Sequence, residues 1–82
     1  MGMSEPEILD GLAEIINEIT GLTFEAVQLD RSFIADLGID ATSMRQIISS
    51  VDDRFGVIIS DVDTQELRTI GDAVAYIQAE IG

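Results

Sequence analysis

Apolar residues recur at helical spacing in three separate stretches of the chain. The first stretch follows Ser4 and Glu7, whose S-x-x-E spacing is typical of a capping box at the start of a helix. Pro6 is tolerated in the first turn, and Gly21 is well placed to end the helix. One face of this helix is predicted to be buried through Ile8, Leu9, Leu12, Ile15, Ile16 and Ile19.

The second stretch predicts a helix that begins after Asp40 and ends at Phe55. Aspartate is a favoured N-cap residue, and Gly56 follows as a typical C-terminal stop. The predicted buried face consists of Met44, Ile47, Ile48, Val51 and Phe55, whereas the polar residues of this helix point to other faces.

The third stretch predicts a last helix that is opened by Thr69 and Asp72. Its apolar face contains Ile70, Ala73, Val74, Ile77 and Ile81. Before it, Asp63 is predicted to cap a single helical turn that includes a buried Leu67.

Residues 22–39 are too irregular for a strong helix or strand. A loop of this length is uncommon in a compact domain, and we expect its apolar side chains to pack across the bundle: Phe24, Val27, Leu29, Phe33 and Leu37. We therefore predict one all-α domain over residues 1–82, a bundle of three main helices plus one short helix. Residues 1–3 resemble a cloning leader ahead of an original Met3.

Composition excludes several classes of site. The 82 residues include no cysteine and no histidine, which removes disulfides, zinc sites of the usual kind and histidine-based catalysis. The chain has sixteen acidic residues and four arginines, so its formal net charge is -12. This charge disfavours binding to nucleic acids and to anionic membranes. We expect a monomeric cytoplasmic protein that is not an enzyme, does not insert into membranes and is attracted to basic protein surfaces.

Several motifs together resemble the acyl carrier protein family. They are F-x-x-DLG-x-D before the second helix, F-G at its end, I-x-D in the link and T-x-G-D-A-V-A-Y-I in the last helix. The resemblance extends from Ile8 to Ile81 and is nearest to the free-standing carriers of type II fatty-acid and polyketide synthases. It implies an acyl-carrier-like helical bundle, and a serine that is esterified by 4'-phosphopantetheine.

This sequence departs from the family at that serine. The resemblance places Asp40 on the motif aspartate, Ala41 on the serine and Thr42 on the leucine. Alanine has no nucleophile, so we expect no prosthetic group in this form, and 4'-phosphopantetheine only if position 41 were serine. Three explanations stay open: an engineered serine-to-alanine change, a natural non-carrier paralogue, or relocation of the attachment to Ser43. The alternative role of Ser43 is a capping contact with Asp40.

The resemblance also implies a docking face on the second helix. In the family, basic patches of the phosphopantetheinyl transferase and of the synthase enzymes bind there. The corresponding residues here are Asp36, Asp40, Thr42, Met44, Arg45, Gln46, Asp52 and Asp53. Because Arg45, Arg54 and Gln46 dilute the negative charge, we expect weaker or altered docking. Solvation of an ordinary helix surface is the simpler interpretation of the same residues.

Two further candidate sites are weaker. Asp61, Asp63 and Glu66 lack the glycine and the distal glutamate of an EF-hand loop, so we predict no metal site. Ile58 and Ile59 either line a pocket for an acyl chain or belong to the core. An acidic protein-interaction module, unrelated to acyl transfer, remains the alternative function.

Overall fold

A computed structural model describes residues 2–81. Met1, the first residue of the predicted leader, lies outside this range. The chain forms α1 (Glu5–Thr20), a 3-10 turn (Phe24–Ala26), α2 (Ala41–Phe55), α3 (Asp61–Glu66) and α4 (Ile70–Ile81). The all-α prediction is confirmed. Across the described residues, the β-type pairing is confined to an isolated bridge between Ser32 and Thr69.

The caps predicted for α1 are present. The Glu7 amide donates to Ser4 Oγ, while the Ser4 amide donates to Glu7 Oε1, which completes the reciprocal capping box. Gly21 ends the helix in the left-handed region with φ 80°. These local bonds satisfy backbone groups that a helix end otherwise leaves without partners.

The three apolar stripes meet in one core. α1 contacts both α2 and α4, and its stripe faces them. The most completely buried large side chains come from all three helices and from the long loop: Ile8, Leu12, Ile16, Phe33, Ile47, Val51, Ile70, Val74 and Ile77. The predicted stripe residues Leu9, Ile19, Met44, Ile48, Phe55 and Ile81 are partly buried at the margins of this core.

The long loop packs across the bundle through only some of its apolar residues. Val27 and Phe33 are buried as expected and Leu37 is half-buried, but Phe24 is 51% exposed and Leu29 is also exposed. The backbone of the loop is held as well, because residues 29–33 exchange hydrogen bonds with residues 68–71. The local pattern of hydrophobic residues does not predict this attachment between distant segments.

The prediction for the short helix was wrong at its start. α3 begins at Asp61, and its N-cap is Ser60, whose Oγ accepts from the Asp63 amide at 3.1 Å. Asp63 therefore lies in the first turn instead of capping it. Serine is as good an N-cap residue as aspartate, and Ser60, three residues before Asp63, starts the helix. Leu67, expected to be buried, is half-buried just after the helix.

Within residues 2–81, no helix is both long enough and apolar enough to cross a membrane.

Candidate functional site

A tight turn over residues 32–39 leads the chain into α2. The Leu37 amide donates to the Ser32 carbonyl oxygen at 3.0 Å, and the Ile39 amide donates to the Phe33 carbonyl oxygen at 2.9 Å. Gly38 takes φ 64°, a left-handed conformation that glycine adopts without strain. The turn therefore fixes where α2 starts relative to the buried Phe33.

Two of the predicted docking carboxylates also hold this turn and the helix start. Asp36 Oδ2 accepts from the Ser32 amide at 2.7 Å, inside the turn. Asp40 Oδ1 accepts from the Ser43 amide at 2.8 Å, which makes Asp40 the N-cap of α2 as predicted. That amide of Ser43 lowers the pKa of Asp40 below its ordinary value of 3.8, because it stabilises the charged carboxylate.

Ala41 is the first residue of α2 and is exposed. Its side chain is a methyl group at the positive end of the helix dipole, a place that favours bound anions. Ser43, two positions further along, is half-buried, and its backbone amide makes the capping contact with Asp40. Ser43 therefore makes the capping contact considered for it, through its backbone amide.

Ala41 is one of the residues that line an open, mostly apolar groove of about 610 Å³. Its walls come from the turn before α2, from the first turn of α2 and from α3 with the residues that follow it. The lining residues are Ser32, Phe33, Ile34, Ala35, Ile39, Asp40, Ala41, Met44, Thr64, Gln65, Leu67 and Arg68. Met44, a residue of the predicted docking face, is one of them.

The groove does not include the two isoleucines considered as pocket residues. Ile58 is 77% exposed, and Ile59 is buried in the core. Alternation along the extended link explains this difference, because successive side chains of an extended backbone point to opposite sides. Sequence reasoning missed the actual lining because three segments, distant along the chain, contribute to it.

The remaining residues of the predicted docking face lie on the outer surface of α2. Thr42, Arg45, Gln46, Asp52 and Asp53 are all exposed. They recur at the spacing that brings residues to one side of a helix, opposite the buried Ile47 and Val51.

Arg54 differs from this arrangement. Its Nη1 lies 2.7 Å from Glu14 Oε2, so its guanidinium pairs with α1. Arg54 therefore offsets less of the negative charge of the predicted docking face than Arg45 does.

The acidic side chains of α3 are not gathered around one point. Asp63 Oδ2 accepts the hydroxyl of Tyr76 at 2.8 Å. Within residues 2–81, no three acidic side chains come close enough together to hold a metal ion.

Known proteins similar to this chain are acyl carrier proteins. The acyl carrier protein of Beutenbergia cavernae is 54% identical over 77 residues, which cover 94% of each chain. That of Renibacterium salmoninarum is 55% identical over 74 residues, covering 90% of this chain and 91% of the relative. The meromycolate extension acyl carrier protein of Mycolicibacterium aurum is 50% identical over 95% of this chain and 80% of its own.

Residues 10–77 match the protein family described as a phosphopantetheine attachment site. An ester with phosphopantetheine needs a side-chain oxygen. Ala41 has none, so the first residue of α2 does not fit covalent attachment. The match nevertheless covers most of the chain and the relatives align over nearly all of it. The chain belongs to the acyl carrier protein family, whose members are carriers and not enzymes.

Proposed function

We propose that this protein is an acyl carrier protein of fatty-acid or polyketide biosynthesis in a form that cannot be phosphopantetheinylated at the usual site. The observation that carries the proposal is Ala41, the first residue of α2, immediately after the capping Asp40. In this proposal, Ala41 occupies the position at which the family carries its modified serine. The protein acts in the cytoplasm as a single-domain monomer.

The surroundings of position 41 support this assignment. A serine there would project its hydroxyl from the exposed first turn of α2, where the helix dipole favours a phosphate group. Met44 and Ile39 border the adjoining groove and provide apolar contacts beside that position. These features support position 41 as the family's attachment position, where this chain lacks the nucleophilic oxygen.

Two origins of Ala41 are compatible with the proposal. An engineered serine-to-alanine change would give an otherwise ordinary carrier that stays in its apo form. A natural non-carrier paralogue would also explain Thr42 in place of leucine, Gln46 in place of glutamate and Ser60 in place of proline. The genomic codon at position 41 distinguishes the two, because a serine codon identifies an engineered protein.

The partners in this proposal are a phosphopantetheinyl transferase and the synthase enzymes. They bind the outer face of α2, where Asp52 and Asp53 are exposed to basic partner surfaces. Asp36 and Asp40 add negative charge near the helix start, although each carboxylate already accepts a backbone amide. The positive charge of Arg45 offsets part of this negative charge, so docking is weaker than it would be for a fully acidic helix face.

Intact-mass spectrometry after incubation with coenzyme A and a broad-specificity transferase tests the proposal. The parent protein should keep its mass, whereas Ala41→Ser should gain one phosphopantetheine group. Ser43→Ala is the matched control, because it removes the nearby alternative hydroxyl and should leave both results unchanged. A modified parent protein whose added mass maps to Ser43 would move the attachment site and reject the assignment of Ala41.

An acidic protein-interaction module without a role in acyl transfer is the second candidate. The formal net charge of -12 and the departures at Thr42, Gln46 and Ser60 favour it. Binding to a purified transferase or ketosynthase separates the two candidates. Specific binding that is lost with Asp52→Lys and Asp53→Lys supports the carrier-type surface, while indifference to both enzymes supports the generic module.

A further inference from the structure

The pairing between the long loop and the start of α4 brings two arginines together. The Phe33 amide donates to the Arg68 carbonyl oxygen at 3.0 Å, and the Ile70 amide donates to the Arg31 carbonyl oxygen at 2.9 Å. These bonds flank the isolated antiparallel bridge between the two segments. Arg31 therefore lies opposite Ile70 and Arg68 lies opposite Phe33, so the two arginines are diagonal neighbours across the bridge.

The side chains of Arg31 and Arg68 extend from the same side of this pairing, because residues directly opposite one another share a side. Diagonal neighbours lie about 7–8 Å apart, a separation that long side chains can span. On that side Phe33 and Ile70 are buried, whereas both arginines are exposed. Two guanidinium groups are thus available at one margin of the core, where both can contact the same ligand.

Neighbouring carboxylates do not neutralise these two arginines. The Asp36 carboxylate accepts the Ser32 amide at 2.7 Å, and the Asp72 carboxylate accepts the Arg68 amide at 3.1 Å. Both acids are therefore engaged by the backbone. Within residues 2–81, neither Arg31 nor Arg68 lies within salt-bridge distance of a carboxylate.

The pair concentrates positive charge in an otherwise acidic chain. Sixteen acidic residues outnumber four arginines, yet two of the four arginines lie at this one place. Of the other two, Arg54 is paired with Glu14 and Arg45 is exposed on α2. The local charge therefore favours an anionic ligand here, against the repulsion of the rest of the chain.

Two guanidinium groups match a phosphate dianion better than a carboxylate. A single guanidinium group already forms a complete bidentate pair with a carboxylate. A phosphate dianion has two negative charges and three terminal oxygens that accept strongly, so it can accept from two guanidinium groups at once.

We propose that Arg31 and Arg68 together bind a phosphate dianion, either free phosphate or the terminal group of a small phosphate monoester. Arg68 and the exposed Ile34 also line the apolar groove, which gives the organic part of an ester an adjoining surface. The net negative charge of the protein opposes binding, so we expect a modest affinity, with a Kd of about 1 mM. The inference does not depend on the proposed carrier function or on position 41.

NMR titration with inorganic phosphate tests the site in the parent protein. At constant ionic strength and about pH 8, where phosphate is mainly the dianion, the signals should shift in a saturable way. The shifts are expected at the amides of residues 31, 32, 68 and 69 and at the two arginine side chains. Acetate is the matched anion and should bind at least about tenfold more weakly. The absence of saturable shifts, or equal binding of acetate, would overturn the proposal.

Substitution of single arginines assigns the binding to the pair. Arg31→Gln and Arg68→Gln should each weaken phosphate binding at least about tenfold, because each removes a charge-assisted contact. Arg45→Gln is the matched control, because it removes the same charge from an exposed position on α2 and should leave the Kd nearly unchanged. An equal loss with Arg45→Gln would show a general effect of net charge, and a loss confined to one of the other two variants would show a single-arginine contact. Either result contradicts a site formed by the pair.

Hexyl phosphate distinguishes a phosphate ester from free phosphate. If the hexyl chain lies in the groove, burial of about two methylene groups should make its binding about tenfold tighter than that of inorganic phosphate. The shifts should then extend to the amides of Ile34 and Met44. Equal affinities without these added shifts would identify free phosphate as the ligand. 1-Hexanol is the control, and shifts of the Arg31 and Arg68 side chains with hexanol alone would contradict recognition of the phosphate group.

Discussion

The Gly71 amide donates to the Leu29 carbonyl oxygen at 2.8 Å, and a methyl group on Gly71 would lie 2.9 Å from that oxygen. The first turn of α4 and the long loop therefore meet backbone to backbone. Two neighbouring bonds, from the Ile70 amide to the Arg31 carbonyl oxygen and from the Phe33 amide to the Arg68 carbonyl oxygen, continue this attachment. It positions Phe33, and with it the wall of the groove that leads to α2.

Gly71→Ala should destabilise the protein, although alanine is the better helix former. The gain in helix propensity is at most about 1 kcal/mol, whereas forcing extra volume against packed atoms typically costs about 1–3 kcal/mol. A net loss of about 1 kcal/mol corresponds to a decrease of about 4–8 °C in the melting temperature of a domain this small. Thermal unfolding followed by circular dichroism measures it.

Gly11→Ala is the informative comparison for Gly71→Ala. A methyl group on Gly11 would lie 2.7 Å from Phe55 Cζ, at the end of a half-buried side chain that can turn aside. We therefore expect a smaller loss of stability for Gly11→Ala than for Gly71→Ala, because the methyl group added at position 71 would meet a backbone oxygen. A higher melting temperature for Gly71→Ala than for the parent would contradict the close approach.

Salt should stabilise the protein. Sixteen acidic residues and four arginines give a formal net charge of -12. Screening by salt therefore weakens the repulsion between like charges more than the attraction between opposite charges. The exposed Arg54–Glu14 pair is weakened at the same time, but pairs of this kind contribute only about 0–1 kcal/mol. The melting temperature should rise between low and physiological ionic strength. A variant with Asp52→Lys and Asp53→Lys removes two negative and adds two positive charges, and its melting temperature should depend less on salt.

The capping carboxylate of α2 should lose its stabilising effect in acid. The pKa of Asp40 is lower in the folded protein than its ordinary value of 3.8, because the Ser43 amide stabilises the carboxylate. Its contribution is therefore fully present above pH 3.8 and is lost as the pH falls through the lower pKa of the folded state.

Carboxyl NMR titration of the native and the urea-unfolded protein measures the Asp40 shift. The midpoint for Asp40 should be lower in the native protein. Asp40→Asn keeps a capping oxygen but has no charge to titrate, so its stability should vary less with pH in this range. Equal midpoints in the two states would remove Asp40 from the pH dependence of stability.

Reversing the charges at the C-terminal end of α2 should slow association with a partner enzyme. Asp52 and Asp53 are exposed, and exposed substitutions seldom change stability by more than about 0.5 kcal/mol. The variant with Asp52→Lys and Asp53→Lys should associate about tenfold more slowly with a phosphopantetheinyl transferase at low salt, and its association rate should depend less on salt.

Surface plasmon resonance at two salt concentrations provides the association rates for this comparison. Gln46→Glu is the matched variant of opposite sign on the same face, and it should bind faster than the parent. Equal association rates for the parent and the double lysine variant would exclude this end of α2 from the interface.

The sequence by itself determined the features that depend on short-range spacing. The Ser4–Glu7 capping box, the Asp40 cap, the stops at Gly21 and Gly56 and the three apolar stripes were all predicted and are all present. Each involves residues within one or two helical turns, so the chain's own geometry fixes the contact. The exposed Ala41 at the start of α2 is also local, and it is the basis of the proposed function.

Only the tertiary structure decided which distant segments share a surface. The groove combines residues 32–35 and 39–41 with Met44 and with residues 64, 65, 67 and 68, and Ile58, which resembles a pocket residue in sequence, faces solvent instead. The Tyr76–Asp63 bond and the backbone contact between Leu29 and Gly71 join residues far apart in the chain. Such contacts depend on how the helices pack around the core. Hydrophobic periodicity indicates that a helix face is buried, but it does not indicate which element packs against that face.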